Sequence, residues 1–211
     1  MQGSHLKKFF GETIDTDTCD VKMRSSRKIS IDKEERMRNV IYAITGSRLM
    51  GKTTLVQEML RVFPNDLAVV RTTTTQPRLP GSPDDDLYRF VSDTEFHARL
   101  VAPTKDFIAH LSYQNCRYGT DRRDVESVFA AGRQGIQEIN ANLDGISATR
   151  LAGYEVVEIH LTANPDPTPV RGANVRIPEH EILTSFEPGG LARSIAFLTV
   201  IIANDLKNRA K

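Results

Sequence analysis

The feature that most constrains this chain is a glycine-rich segment at residues 46–53, which reads Gly-Ser-Arg-Leu-Met-Gly-Lys-Thr. It fits the pattern G-x-x-x-x-G-K-[ST] completely, with an apolar run at 40–44 before it and an amphipathic run at 55–62 after it. Such a loop leaves backbone N–H groups free to surround a phosphate, and it opens a helix whose N-terminus carries positive partial charge. The segment therefore predicts a P-loop that binds a nucleoside triphosphate.

Two side chains of the P-loop have predicted chemical roles. Lys52 can reach the β- and γ-phosphate oxygens, and the Thr53 hydroxyl can take a place on Mg²⁺. Arg48 is a further candidate to touch phosphate. The predicted nucleotide-binding residues are Gly46, Ser47, Arg48, Leu49, Met50, Gly51, Lys52, Thr53 and Thr54. The loop alone leaves open whether the phosphate is hydrolysed, transferred or only bound.

Length and charge limit the possible partners. A chain of 211 residues, 39% of them hydrophobic, has the size of one α/β domain with a small insertion. Its 28 basic and 27 acidic side chains give a formal net charge of +1, so no global field attracts nucleic acid or a membrane surface. No apolar run approaches the roughly 20 residues that span a bilayer, and no secretion signal is apparent. The predicted compartment is the cytoplasm.

The order of apolar and amphipathic runs predicts the fold class. Residues 1–38 form a polar extension that could be partly disordered. From residue 39 onward, strand-like runs alternate with helical ones, which indicates a parallel sheet covered on both faces. The predicted strands are 40–44, 67–70, 135–139, 156–161 and 198–202. The predicted helices are 53–62, 93–100, 122–131, a short one after 145, one around 178–186, and the C-terminal tail.

Four polar segments follow the predicted strands at their carboxyl ends. They are residues 46–53, 71–78, 138–140 and the segment from 164 onward. In an open α/β sheet, ligands bind beyond the carboxyl ends of the strands. We therefore expect these four segments to meet at one crevice.

Beyond the P-loop, a series of segments resembles the guanylate kinases in the same order, over roughly residues 40–206. The clearest are Thr-Thr-Thr-Gln-Pro-Arg at 73–78, Leu-Tyr-Arg-Phe-Val-Ser at 87–92 and Arg-Tyr-Gly-Thr at 117–120. The others are Glu-Phe at 95–96, Asp-Phe-Ile at 106–108, Ala-Ala-Gly-Arg at 130–133, Glu-Ile at 138–139 and Val-Ile-Ile-Ala-Asn-Asp at 200–205. On these segments the chain is identified as a member of the guanylate kinase-like superfamily.

The resemblance implies a three-layer P-loop NTPase fold over residues 39–211, with a parallel sheet, an acceptor-binding insertion at about 71–134 and a lid at about 164–190. It implies transfer of the γ-phosphoryl group of ATP to the phosphate of GMP, with Mg²⁺. Such transfer needs positioning and cations rather than a covalent nucleophile. The implied cations are Lys52, Arg78, Arg171 and Arg176. The predicted acceptor-binding residues are Arg71, Thr75, Arg78, Tyr88, Tyr118, Thr120 and Glu138, and the predicted metal ligand is Thr53.

Three departures from the family pattern bear on the acceptor. Thr75 replaces an arginine, and Arg71 is a candidate to restore that charge. Ala109 replaces the glutamate that reads guanine, which leaves Glu138 as a second possible partner of the base, and Asn140 replaces a further acid. The lid stretch 179–188 contains no arginine.

These departures leave several functions open. The leading prediction is an ATP-dependent phosphotransferase whose small-molecule acceptor is GMP, another nucleoside monophosphate or a sugar phosphate, as in the related ribose bisphosphate kinases. The main alternative is a non-catalytic guanylate kinase-like module that binds a protein partner. A regulatory nucleotide sensor is a weaker alternative, because no separate effector domain is visible. The oligomeric state is left open.

Overall fold

The computed structural model describes residues 39–78, 86–139, 145–163, 179–184 and 189–210. The predicted extension at 1–38 and most of the predicted lid at 164–190 lie outside these residues. The strands are β1 (Val40–Gly46), β2 (Leu67–Val69), β3 (Thr72–Thr74), β4 (Tyr88–Phe90), β5 (Phe107–Tyr113), β6 (Cys116–Asp121), β7 (Gln134–Glu138), β8 (Glu155–Thr162) and β9 (His180–Leu183). The helices are α1 (Lys52–Val62), α2 (Asp93–Leu100), α3 (Arg122–Ala130), α4 (Gly145–Leu151) and α5 (Gly190–Arg209).

The main sheet has five strands in the order β2-β7-β1-β8-β9, and every pair is parallel. Strand β1 lies in the middle and is buried along its whole length. A central parallel strand is apolar throughout because helices cover both of its faces. The predicted α/β class with a parallel sheet is confirmed.

Alternate residues of β1 face two different helical layers. Val40, Tyr42 and Ile44 belong to a core that also contains residues of α1 and α5. On the opposite face, Ile41 packs with α3 and Ala43 with α4. The sheet thus lies between two helical layers, which is the three-layer arrangement that the resemblance implied.

A second, smaller sheet falls within residues 71–134, the range predicted as the acceptor-binding insertion. Its strand order is β4-β3-β6-β5, with β3 and β4 parallel and the other pairs antiparallel. Helix α2 follows β4, and Ser92 caps its N-terminus. The Ser92 hydroxyl accepts a hydrogen bond from the backbone N–H of Glu95 at 3.1 Å. This capping interaction fixes where the helix starts. None of these four strands was predicted.

The predicted strand at 198–202 is wrong, because these residues lie inside α5. Leu198 and Ile202 are fully buried, whereas Val200 between them is 57% exposed. Burial that recurs after four residues is the pattern of a helix face, so the continuous apolar run misled the strand prediction.

The predicted helix at 178–186 is also wrong over its described part. Residues 180–183 form β9, the edge strand of the main sheet, which pairs with β8. Ile182 is buried and Leu183 is exposed, as expected for a strand that alternates. The carboxylate of Glu179 accepts a hydrogen bond from the backbone N–H of Glu158 at 2.8 Å and so joins this segment to β8. Among the described residues, no helix has the length and apolar character needed to cross a membrane.

Candidate active site

A cleft of about 960 Å³ lies between the P-loop and the small sheet, where β1 and β7 end. We call its two sides the P-loop wall (residues 47–49, 51–54 and Glu138) and the small-sheet wall (Thr72, Gln76, Tyr88, Tyr118 and Thr120). All the predicted nucleotide-binding residues except Gly46 and Met50 line it, and so do four predicted acceptor-binding residues: Tyr88, Tyr118, Thr120 and Glu138. Three of the four segments expected to meet therefore do so. The fourth begins outside the described residues.

The glycines of the P-loop are required by its path. Gly46 has a φ of 141°, and a Cβ at this position would lie 2.6 Å from the carbonyl oxygen of Leu161 in β8. Gly51 has a φ of 81°, in the region that side chains disfavour. The first glycine lets β1 pass close to β8, and the second turns the chain into α1.

Lys52 is held at the mouth of this loop. Its side-chain nitrogen donates a hydrogen bond to the carbonyl oxygen of Ser47 at 2.9 Å, and it lies 3.6 Å from Oε1 of Glu138. The residue is only 9% exposed. A buried ammonium group needs such partners, because water no longer solvates its charge. The arrangement places a cation next to the loop that is predicted to surround a phosphate.

Glu138 also contacts Thr53. The Thr53 hydroxyl donates a hydrogen bond to Oε2 of Glu138 at 2.9 Å. Strand β7 is the neighbour of β1 in the sheet, and this brings its last residue to the start of α1. A hydroxyl and a carboxylate are the hard oxygen ligands that Mg²⁺ prefers, and Mg²⁺ usually keeps water and substrate oxygens in its remaining positions. These two side chains fit a magnesium site.

The small-sheet wall presents phenol groups to the cleft. The Tyr118 hydroxyl donates a hydrogen bond to Oε1 of Gln76 at 3.0 Å. Burial raises the pKa of Tyr118 above its ordinary value, with a smaller contribution from the neighbouring Cys116. The group therefore stays protonated at neutral pH and can donate to an anion. Tyr88 lines the same wall.

Three predicted acceptor-binding residues do not line the cleft. Thr75 is used within the small sheet, where its hydroxyl accepts a hydrogen bond from the backbone N–H of Arg117 at 3.0 Å. Arg71 is exposed, and its Nε donates to the carbonyl oxygen of Asp86 at 3.3 Å. Arg78 is also exposed. The proposed replacement of the charge missing at Thr75 by Arg71 receives no support from these positions.

Other predicted residues fall outside the described ones. They are Arg171, Arg176 and Asn140. Their roles stay predictions.

Gln76 and Gln137 are among the polar side chains of the cleft that sequence reasoning missed. Gln137 was detectable, because it is a lone amide within the apolar strand Gly-Ile-Gln-Glu-Ile at 135–139. Gln76 carried no such signal, since it lies among polar residues. Ala109, which stands where the family has a glutamate, is buried and lines the same cleft.

Comparisons with known proteins identify the family of the chain. The family model described as guanylate kinase matches residues 36–173, which is more than half of the 211-residue chain. The chain is 38% identical over 102 residues to a guanylate kinase of Thermobifida fusca, an alignment that covers 48% of this chain and 50% of that protein. It is 33% identical over 118 residues to a guanylate kinase of Leifsonia xyli, covering 54% of this chain and 45% of that protein.

The chain spans about half the length of these curated relatives. Among solved structures, a guanylate kinase from Anaplasma phagocytophilum has a TM-score of 0.44 and 20% sequence identity, over 58% of this chain and 59% of that chain. The family match, which extends from before the P-loop through the small sheet and β8, shows that this chain belongs to the guanylate kinase family.

Proposed function

We propose that this protein is an ATP-dependent phosphotransferase of guanylate kinase type, which transfers the γ-phosphoryl group to the phosphate of a nucleoside monophosphate, GMP or a related nucleotide. The observation that carries the proposal is a single cleft with a complete P-loop on one side and two phenol groups, Tyr88 and Tyr118, on the other. Membership of the guanylate kinase family supports it. The cytoplasmic location stays a prediction.

The P-loop wall would hold ATP. Backbone N–H groups of the loop would surround the β-phosphate, as at other helix N-termini that bind anions. Lys52 would exchange the Ser47 carbonyl for phosphate oxygens, which bear a full negative charge and so make the stronger hydrogen bond. A fixed cation at the transferred group stabilises the charge that develops in the transition state.

We assign Glu138 to this wall rather than to recognition of the acceptor base. Its carboxylate contacts Thr53 and Lys52, so it is positioned to orient Mg²⁺ together with the Thr53 hydroxyl. When bound, the metal ion would neutralise part of the negative charge of the phosphate groups.

The small-sheet wall would receive the acceptor phosphate. Tyr118 would turn its hydroxyl from Gln76 to a phosphate oxygen, and Tyr88 would donate from β4, which lies on the other side of β3. Arg78, Arg171 and Arg176 are proposed to approach the transferred group when the lid closes, and Arg71, Thr75 and Thr120 to act on the acceptor side. The matched family segments support the role of Arg78. Closure would keep water from accepting the phosphoryl group.

The test is ADP formation from ATP and Mg²⁺ with a panel of acceptors: GMP, AMP, UMP, CMP, ribose 5-phosphate and ribose 1,5-bisphosphate. We expect turnover with at least one nucleoside monophosphate. Lys52→Ala should lower kcat by roughly 10²-fold or more, because it removes a charge that contacts the transition state. Lys207→Ala, at an exposed position of α5, is the matched control and should leave kcat unchanged.

Two results would overturn the proposal. Turnover with sugar phosphates alone would identify a sugar phosphate kinase. Absence of acceptor-dependent turnover, with ATP bound and a protein partner captured in the cleft, would identify a non-catalytic module.

A further inference from the structure

Gln137 is a buried amide whose hydrogen bonds are incomplete. It lies in β7 at the floor of the cleft and is 1% exposed. A buried amide costs free energy unless both of its ends have partners. We therefore expect the amide at this position to have a function that offsets this cost.

The partners of Gln137 come from the small sheet. Its Nε2 donates hydrogen bonds to the hydroxyl oxygens of Thr72 at 3.1 Å and of Thr120 at 3.0 Å. Its Oε1 is buried and has no hydrogen-bond partner among the described residues. Rotating the amide by half a turn would let the two hydroxyls donate to the oxygen, but it would leave the NH₂ group without an acceptor. In either orientation one end of the amide lacks a protein partner.

The neighbouring side chains offer few other polar groups to an acceptor base. Ala109, opposite Thr120 in the β5–β6 pairing, has no polar side-chain atom. The carboxylate of Glu138 is already occupied by Thr53 and Lys52. Gln137 thus carries a buried hydrogen-bonding atom, Oε1, for which its described neighbours provide no partner.

We propose that Gln137 determines acceptor specificity: when the acceptor enters the cleft, its base displaces the side chains that bury Oε1, and an N–H group of the base donates a hydrogen bond to this oxygen. Thr72 and Thr120 fix the orientation of the amide. This inference rests on the proposed function. It identifies the side chain that would distinguish a nucleotide from a phosphate ester that has no base. The chemistry it selects is a ring imide or an exocyclic amino group.

The experiment compares Gln137→Met, which keeps the volume and removes the amide, with Gln137→Glu, which keeps an acceptor oxygen. For wild-type protein and both variants we would measure kcat, the KM values for GMP and ATP, the melting temperature, and the calorimetric affinity for GMP. In Gln137→Met, we expect the KM and Kd for GMP to rise by roughly tenfold, because a buried hydrogen bond to the ligand is lost. The KM for ATP should stay close to wild type, whereas the melting temperature should fall by a few degrees, because the hydrogen bonds to Thr72 and Thr120 are lost as well. Gln137→Glu should retain most of the GMP affinity.

The two proposals fail in different ways. Wild-type turnover with an unchanged KM for GMP in Gln137→Met would overturn the role of Gln137 and leave the kinase activity standing. Without wild-type turnover, the calorimetric titration with GMP still decides: equal affinity of wild type and Gln137→Met, or no binding to either, overturns the inference. Parallel losses of melting temperature and of both KM values would show that Gln137 only supports the fold, and would overturn it as well.

Discussion

The two walls of the cleft are built in different ways. The P-loop wall comes from one continuous segment between a seven-residue central strand and an eleven-residue helix. The small-sheet wall is assembled from β3 and β4, which have three residues each, together with β6. Side chains far apart in the sequence hold it together: Tyr118 bonds to Gln76 across 42 positions, and Gln137 bonds to Thr72 across 65.

Under the proposed function, this difference separates the two halves of the chemistry. The site proposed for the phosphate donor depends on a few adjacent residues and on the strand before them. The site proposed for the acceptor depends on long-range pairs, so a single substitution there, such as one at position 109, would change acceptor selectivity without disturbing the P-loop.

The largest effect that tests this comparison is expected at Glu138. Glu138→Gln removes the charge that contacts Lys52 and Thr53, and should lower kcat by roughly 10²-fold or more, because the metal ion is no longer oriented. Steady-state kinetics over a range of Mg²⁺ concentrations would measure this loss. Glu58→Gln, on the surface of α1, is the control. A change confined to the KM for GMP would place Glu138 with the acceptor instead, as the sequence suggested.

The next effect concerns the main sheet, which carries most of the core. Arg209 at the end of α5 donates two hydrogen bonds to Glu155 in β8, at 2.9 and 2.5 Å. It donates a third to Asp205 at 2.6 Å, and the Tyr42 hydroxyl donates to the same carboxylate at 2.7 Å. These carboxylates raise the pKa of Arg209, which stays charged. Arg209→Ala should lower the free energy of unfolding by about 1–3 kcal/mol, because Glu155 loses its cation and Asp205 keeps only the hydrogen bond from Tyr42.

Urea denaturation would measure this change. Lys207→Ala, at an exposed position two residues earlier in α5, should stay within about 0.5 kcal/mol of wild type. An equally small effect for Arg209→Ala would show that the network contributes nothing to stability.

A smaller effect is expected on the small-sheet wall. Tyr118→Phe removes a hydroxyl that donates in the cleft, and should raise the KM for the acceptor by about tenfold with little change in the KM for ATP. Tyr154→Phe, at a tyrosine that packs against Phe129 and does not line the cleft, is a matched control. If Tyr118→Phe altered the KM for ATP instead, the division between the two walls would be wrong.

The smallest effect is a pH dependence in the small sheet. A hydrogen bond from the Thr104 hydroxyl, at 2.5 Å, lowers the pKa of Asp106, and Arg123 adds to this. Because the folded pKa lies below the unfolded value of about 3.9, the carboxylate stabilises the protein above that pH, and this contribution is lost as the pH falls through the folded pKa. The difference in melting temperature between wild type and Asp106→Asn should therefore be present at neutral pH and shrink below about pH 4. A difference that is constant with pH would contradict this assignment.

Much of the P-loop wall could be predicted because its signals are local. The pattern at 46–53 identified the loop, and helix α2 was predicted with its observed bounds, 93–100. Strand β1 was evident from its continuous apolar run.

The small sheet could not be predicted in the same way. Strand β3 consists of three threonines, whose hydrophobicity shows no alternation, and only pairing with β4 and β6 stabilises it. The contacts of Glu138 could not be predicted for a related reason: its neighbours Lys52 and Thr53 are more than 80 positions away in sequence, and strand order alone brings them together.

The hydrogen bond from Lys52 to the Ser47 carbonyl has a consequence for which ligands the P-loop retains. Any molecule that recruits this ammonium group has to outcompete a neutral oxygen that belongs to the protein itself. Nucleosides and sugars have only neutral oxygens and gain little from the exchange, whereas polyphosphates gain a charged contact. The loop would thereby bind charged phosphate groups in preference to uncharged analogues, independently of the base.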